Sequence, residues 1–168
     1  MAANLKPVTH RMLGTDLALT RYSGVPSSVP LVSADSWGTL DLQVVPGSRG
    51  GLPLTGDVRD VGSVGGRDNL AQALVLRLLT RRGALASLGH PEYGSRLVEL
   101  VGRLNNETSR NLARLFTLEA LNQEPRVKEI IDLRAEAVDG FPDTIRIGFS
   151  VIPLNDSDPL ALVLELNL

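Results

Sequence analysis

Side chains able to grip another molecule concentrate in Asn122-Gln123-Glu124-Pro125-Arg126-Val127, where the last helical pattern gives way to strand patterns. Proline disfavours the helical conformation in the residue before it, so Glu124 is expected to leave the helix. Arg126 then stands at the mouth of the first strand. Its guanidinium is a planar fork of donors suited to a carboxylate or to backbone carbonyls, and such a fork is hard to hide without a partner. Glu124, Pro125 and Arg126 are therefore candidate contact residues. The plainer reading is a helix stop followed by a solvated glutamate and arginine.

Other constellations are thinner. His10 and His90 have no second ligand or nucleophile near them in sequence, so neither a metal site nor a Ser/His/Asp triad is assembled. Gly62-Ser63-Val64-Gly65-Gly66 precedes a helix as phosphate cradles do. Its spacing fits neither the dinucleotide fingerprint nor a P-loop with its Lys and Ser/Thr, and a tight turn accounts for it. Glu92, Glu107 and Glu124 could supply a carboxylate pair for glycoside hydrolysis, but only a fold can set two of them across a cleft. The expectation is no enzyme, no cofactor and no metal.

Composition narrows the partners. A chain of 168 residues with 43% apolar residues is one core's worth of sequence. With no cysteine there is no disulfide, thiolate site or thiol nucleophile. Net charge is -2 with both signs interspersed, which leaves no footprint for nucleic acid or for an anionic membrane, so protein partners are expected. The apolar runs are too short to span a bilayer, and Met1 to Leu13 lacks the hydrophobic centre of a secretion signal. The chain is expected in the cytoplasm unless it leaves as part of something larger.

Two regions must position the candidate residues. Residues 1–62 are rich in Gly, Pro and Ser and read as an extended N-terminal arm, with short β-like pieces at Asp16 to Thr20, Leu40 to Val45 and Asp57 to Val61. Trp37 in this arm needs burial, against the protein's own helices or in an interface. Residues 63–168 read as the domain proper. Asp68 is the expected N-cap of a helix over Leu70 to Leu79 that is apolar on most sides and stops at Gly83. Ser95 is expected to cap a second helix with Leu97, Leu100, Val101 and Leu104 on one face. A third, from about Glu107 to Asn122, turns Leu112, Leu115, Phe116 and Leu121 inward.

The period then changes to that of strands. Ile131, Leu133, Ala135 and Ala137 alternate with Asp132, Arg134 and Glu136; Ile145, Ile147, Phe149 and Val151 alternate with Arg146, Gly148 and Ser150. Turns are expected at Gly140 to Asp143 and at Pro153 to Pro159, and the final run puts Leu162, Leu164, Leu166 and Leu168 on one face. The fold expected is α+β, three helices packed on a C-terminal, mainly antiparallel sheet. The last strand is expected at an edge, where unpaired backbone groups make Leu162, Leu164 and Leu166 candidate partner-contact residues.

Read in order, Gly66-Arg67-Asp68-Asn69-Leu70-Ala71-Gln72-Ala73-Leu74, Leu78-Leu79-Thr80-Arg81-Arg82-Gly83, Pro91-Glu92-Tyr93-Gly94-Ser95-Arg96-Leu97 and Glu124-Pro125-Arg126-Val127 resemble the baseplate wedge protein, or sheath initiator, of contractile tails. Relatives occur in myophages, type VI secretion baseplates and phage-tail-like injection systems. The resemblance runs from about Asp57 to Val151 and implies a structural role. Such a subunit clamps the helical bundle of the larger wedge proteins in a sixfold baseplate, near the inner tube and hub, and presents the first surface on which sheath protein polymerises. Glu124, Pro125 and Arg126 match the family's signature and would be the wedge-contact element. Some members carry a lysozyme label, so a baseplate-associated cell-wall hydrolase is one alternative; a free-standing protein-binding module is another.

Overall fold

The computed structural model describes residues 13–19, 31–33, 42, 44–49, 52–53 and 59–168. His10, Trp37 and the other residues of the expected arm between these spans lie outside the described residues. In chain order the strands are β1 (Thr15–Leu17), β2 (Leu31–Ser33), β3 (Val44–Pro46), β4 (Ser48–Arg49), β5 (Leu52–Pro53), β6 (Arg59–Val61) and β7 (Ser63–Gly65), all of two or three residues. Then come helices α1 (Arg67–Leu79) and α2 (Glu107–Asn122) and the long strands β8 (Val127–Val138), β9 (Phe141–Pro153) and β10 (Leu160–Asn167). β1 pairs with β7, β3 with β6 and β4 with β5, each antiparallel.

The chain enters α1 through Gly66, whose φ of 65° only glycine adopts at little cost. Gly66 occupies the N-cap position, and Asp68, the expected cap, instead sits within the first turn and caps nothing. The apolar run buries α1 on most sides, as its pattern implies: Leu70, Leu74 and Leu78 are almost wholly enclosed. Thr80 leaves the helix extended, its hydroxyl donating to the Leu76 carbonyl at 2.7 Å.

Among the described residues of the domain, two α-helices form where three were expected. The second expected helix is a single 3-10 turn at Leu97–Leu100 that ends at extended Val101, with Gly102 following at φ 86°. Residues three apart stack on one face of such a turn, so burying Leu97 and Leu100 consumes the apolar signal; Val101 and Leu104 are left exposed. Ser95 still ties this turn down, donating to the Leu78 carbonyl and accepting from the Leu97 N–H at 3.2 Å. α2 begins where expected, with the Asn106 side chain accepting from the Ser109 N–H. Its inward stripe is Ala113, Phe116, Thr117, Ala120 and Leu121, so Leu115, one residue off that stripe, faces solvent.

The main sheet has the order β2-β10-β9-β8, with β8, β9 and β10 antiparallel and β2 parallel to β10. Asp139-Gly140 makes a two-residue hairpin loop, with Gly140 at φ 81°, so strand pairing resumes at Phe141 inside the expected turn. A register shift between Ile130 and Asp132 lets Ile130 face the core and turns Ile131 out, 48% exposed, correcting the expected inward position of Ile131. Leu133 and Ala135 face inward behind it, while Ala137 is exposed at the hairpin end. Beneath the sheet, Ile145, Ile147, Phe149 and Val151 of β9 and Leu160, Leu162, Leu164 and Leu166 of β10 join α1, α2 and Leu13 in one core. β10 is not a bare edge: β2 pairs with its middle, and the open end of the sheet among the described strands is β8.

Candidate partner-contact site

Glu124, Pro125 and Arg126 form the joint between α2 and β8. After Asn122 the chain makes a turn closed by the Val127 N–H on the Glu124 carbonyl at 3.0 Å. Pro125 occupies the second position of that turn, where its fixed φ is already correct and its missing N–H costs nothing. Pro125 is exposed, and the Arg126 carbonyl accepts from the Leu154 N–H at 2.8 Å, fastening the joint to the end of β9.

The two charged side chains turn inward. Glu124 is buried, and its Oε1 accepts from Arg126 Nε at 2.6 Å while its Oε2 accepts from Arg77 Nη2 at 3.2 Å. Arg126 Nη1 also donates to the Leu13 carbonyl at 3.1 Å, which Asn69 Nδ2 holds from the other side at 2.9 Å. Arg77 is itself buried, with its guanidinium carbon 4.5 Å from the Tyr93 ring centre. Burial alone would raise the Glu124 pKa, but the hydrogen bond from Arg126 and the charges of Arg126 and Arg77 outweigh it and hold the carboxyl below its ordinary value. Tyr93 is pushed up, chiefly by burial.

The chemistry expected of Arg126 is therefore present, bonds to a carboxylate and to a backbone carbonyl, but both acceptors belong to its own chain. What remains for a partner is Pro125 and the accessible part of Arg126, whose side chain is 26% exposed. Sequence reasoning missed Arg77, Tyr93 and Leu13 as members of this cluster. A signal existed for the first: Arg77 is the single charged residue in the apolar run Leu70–Leu79, and a charge on a helix buried all round requires a buried counter-charge.

Leu162, Leu164 and Leu166 lie at the other end of the expectation. Their side chains are in the core, 1–2% exposed, so they cannot touch a partner; only the β10 backbone could, along the side where β2 covers Val163, Leu164 and Glu165.

The remaining candidates do not converge. Glu92 is an exposed surface partner of Arg82, Glu107 is exposed in the first turn of α2, and His90 is exposed in the loop that follows α1. Gly62 precedes β7, and Gly66, at φ 65°, turns the chain from β7 into α1. An open hollow of about 470 Å³ beside the β8–β9 hairpin is lined by Phe141, Asp143, Arg146 and Glu165. Its Glu165 is engaged by Arg146 at 2.7 Å. Among the described residues no group of three His, Cys, Asp or Glu could hold a metal, and no helix is long and apolar enough to cross a membrane.

No protein-family model matches the sequence, and no curated protein matches it. Among solved structures, a chain of Geobacter sulfurreducens described as "putative tail lysozyme" is similar over 60% of this chain and 89% of its own, with 22% identity and a TM-score of 0.52. At that identity the likeness is one of fold.

Proposed function

We propose that this chain is a non-catalytic structural subunit of the baseplate of a contractile tail or tail-like injection machine, where it holds larger wedge proteins and starts the sheath. One observation carries the reading: among the described strands the helix-backed sheet ends in an open edge at β8. β8 offers 12 residues bonded on one side among the described strands. Such edges accept an extended segment of another chain by strand addition, backbone bonds giving affinity and alternate side chains giving register.

Two further points support this reading. The fold is shared with a chain described as "putative tail lysozyme", and Glu124-Pro125-Arg126 resembles the signature of sheath initiators. In the wedge, exposed Pro125 and the accessible face of Arg126 would meet the helical bundle. The chain's neighbours would be wedge proteins, sheath, and tube or hub proteins in sixfold array. A hydrolase reading sits poorly with the same residues, because a glycosidase acid needs a raised pKa and Glu124 is held ionised between two guanidinium groups.

The test is deletion of the coding region in its host, followed by electron microscopy of tail-like particles. Sheathed particles should vanish, return with the wild-type chain, and fail to return with Ile131→Lys, which adds a charge to the β8 edge without touching the core. Full-length sheathed particles without the chain would overturn the reading, as would peptidoglycan turnover by the purified protein. Recovery of the chain as an abundant monomer away from any particle would favour the free binding module.

A further inference from the structure

Arginines gather around the 3-10 turn at Leu97–Leu100. A parallel bridge sets Arg81 beside Ser95, so Arg81 reaches the surface next to Arg96, the residue from which the turn starts. Arg96 grips Glu99 with two bonds, Nε to Oε1 at 3.0 Å and Nη2 to Oε2 at 2.9 Å, and its guanidinium carbon lies 4.3 Å from the Phe116 ring centre. Arg103 folds back on the same turn, its Nε donating to the Glu99 carbonyl at 3.0 Å. The hydrogen bond from Arg96 holds the Glu99 carboxyl below its ordinary value, and the charges of Arg96, Arg103 and Arg81 act in the same direction. Glu119 of α2 also acts on Arg96. Both oxygens of Glu99 are therefore taken by Arg96. Arg81 and Arg103 are exposed, and neither has a carboxylate partner among the described residues.

Solvation is the ordinary fate of such charges, but here they flank apolar side chains that are exposed as well. Val101 is 55% exposed and Leu104 79%, one on each side of Arg103. The backbone that carries them is already bonded: Glu99 N–H donates to the Arg96 carbonyl at 2.9 Å, Val101 to Val98 at 3.3 Å and Arg103 to Leu100 at 3.0 Å. Such a turn has no row of free backbone groups for an added strand, so a partner must meet it through side chains. A helix is the element whose own backbone is likewise satisfied and whose surface sets an apolar stripe beside charges. The charge count speaks against other polyanions. Two uncompensated cations neutralise two phosphates, whereas segments that bind anionic membranes carry about four to eight, and this chain's net charge is -2.

We propose that Arg81, Val101, Arg103 and Leu104 form a docking surface for an amphipathic helix of another protein subunit. Apolar side chains of that helix cover Val101 and Leu104, and carboxylates flanking them bond the two arginines. Charge-assisted pairs beside an apolar contact fix the helix's orientation as well as its affinity. Taking that subunit to be a baseplate neighbour rests on the function proposed above; the surface itself does not.

The test replaces Leu104 with a benzophenone amino acid in the full-length chain, expressed in its host, and identifies photo-captured peptides by mass spectrometry. The captured segment should be helical, with Asp or Glu beside its apolar stripe. Against that protein in purified form, Arg81→Glu/Arg103→Glu should weaken binding at least about tenfold, and Arg in place of the facing partner carboxylates should restore it. Leu104→Ser should weaken binding by a similar factor, at least about tenfold. These side chains are exposed, so thermal melting of the variants should match wild type and separate lost docking from lost folding. If the charge-reversed chain does not fold, Arg81→Glu alone decides, since the Arg81 side chain makes no bond among the described residues. Binding that ignores charge reversal, capture of nucleic acid or lipid in place of protein, or no capture at all would overturn the proposal. Sheaths that need the chain although Leu104 captures nothing would remove this surface and keep the baseplate reading. Charge-rescued capture with normal sheaths in the deletion strain would do the reverse.

Discussion

Arg126→Ala tests whether the joint between α2 and β8 is an internal tie. The substitution removes two bonds, 2.6 Å to Glu124 Oε1 and 3.1 Å to the Leu13 carbonyl. A hydrogen bond to a charged group contributes about 1.5–3 kcal/mol, and stripping one partner from a buried ion pair costs about 3–5 kcal/mol. The lower part of that range applies, because Arg77 still engages Oε2 and Asn69 still holds the Leu13 carbonyl. About 2–3 kcal/mol of lost stability is expected, against a domain total of about 5–15 kcal/mol, so the variant folds. Urea unfolding at pH 7 measures it, with Glu124→Gln and the double variant completing a cycle whose coupling should be about 1.5–3 kcal/mol. A loss under about 0.5 kcal/mol with no coupling would show that Arg126 is not tied in cis.

The same carboxylate predicts acid sensitivity. A group whose pKa is depressed on folding contributes stability that is complete above its ordinary value, here 4.5, and that is lost as pH falls through the folded value. Wild type should therefore lose its advantage over Glu124→Gln below about pH 4.5, measured as unfolding midpoints across pH. Leu74→Ala, at a fully enclosed site on α1, should cost about 2–5 kcal/mol in chemical unfolding. Gly94→Ala is expected to cost about 2–4 kcal/mol, since its φ is 106° and a Cβ would stand 2.6 Å from the Thr80 carbonyl oxygen. Gly148→Ala on the outer face of β9, where a Cβ meets nothing within 4 Å, should be neutral or slightly stabilising by thermal melting.

Much of the α/β order was legible because period is local. α2, β9 and β10 follow from spacing alone, and α1 was recognisable as a helix buried on most sides. The errors fall where a non-local choice decides. Leu97, Leu100, Val101 and Leu104 carry a helical spacing, but one 3-10 turn satisfies the first two and Gly102 ends the run. Strict alternation put Ile131 inside; a register shift against β9 is a property of the pair of strands and leaves no mark on one of them. At the site, the Pro125 turn was readable from X-Pro chemistry, but whether Arg126 reached inward or outward depended on Arg77, which arrives from a different helix. The pairing of β2 with β10 was illegible for a related reason: three residues in a breaker-rich segment have no period, and their partner lies at the far end of the chain.

The inward turn of Arg126 makes it an anchor for the described N-terminal run of the chain. By holding the Leu13 carbonyl, Arg126 and Asn69 fix the point from which β1 departs to pair with β7 and from which Gln72 takes up Leu19 and Leu17. Leu19 in turn closes on Leu42, at the base of the segment that carries β2. The joint at Glu124-Pro125-Arg126 is thus tied, through one short run of backbone from Leu13 to Leu19, to the pairing of β1 with β7 and to the bridge with Leu42.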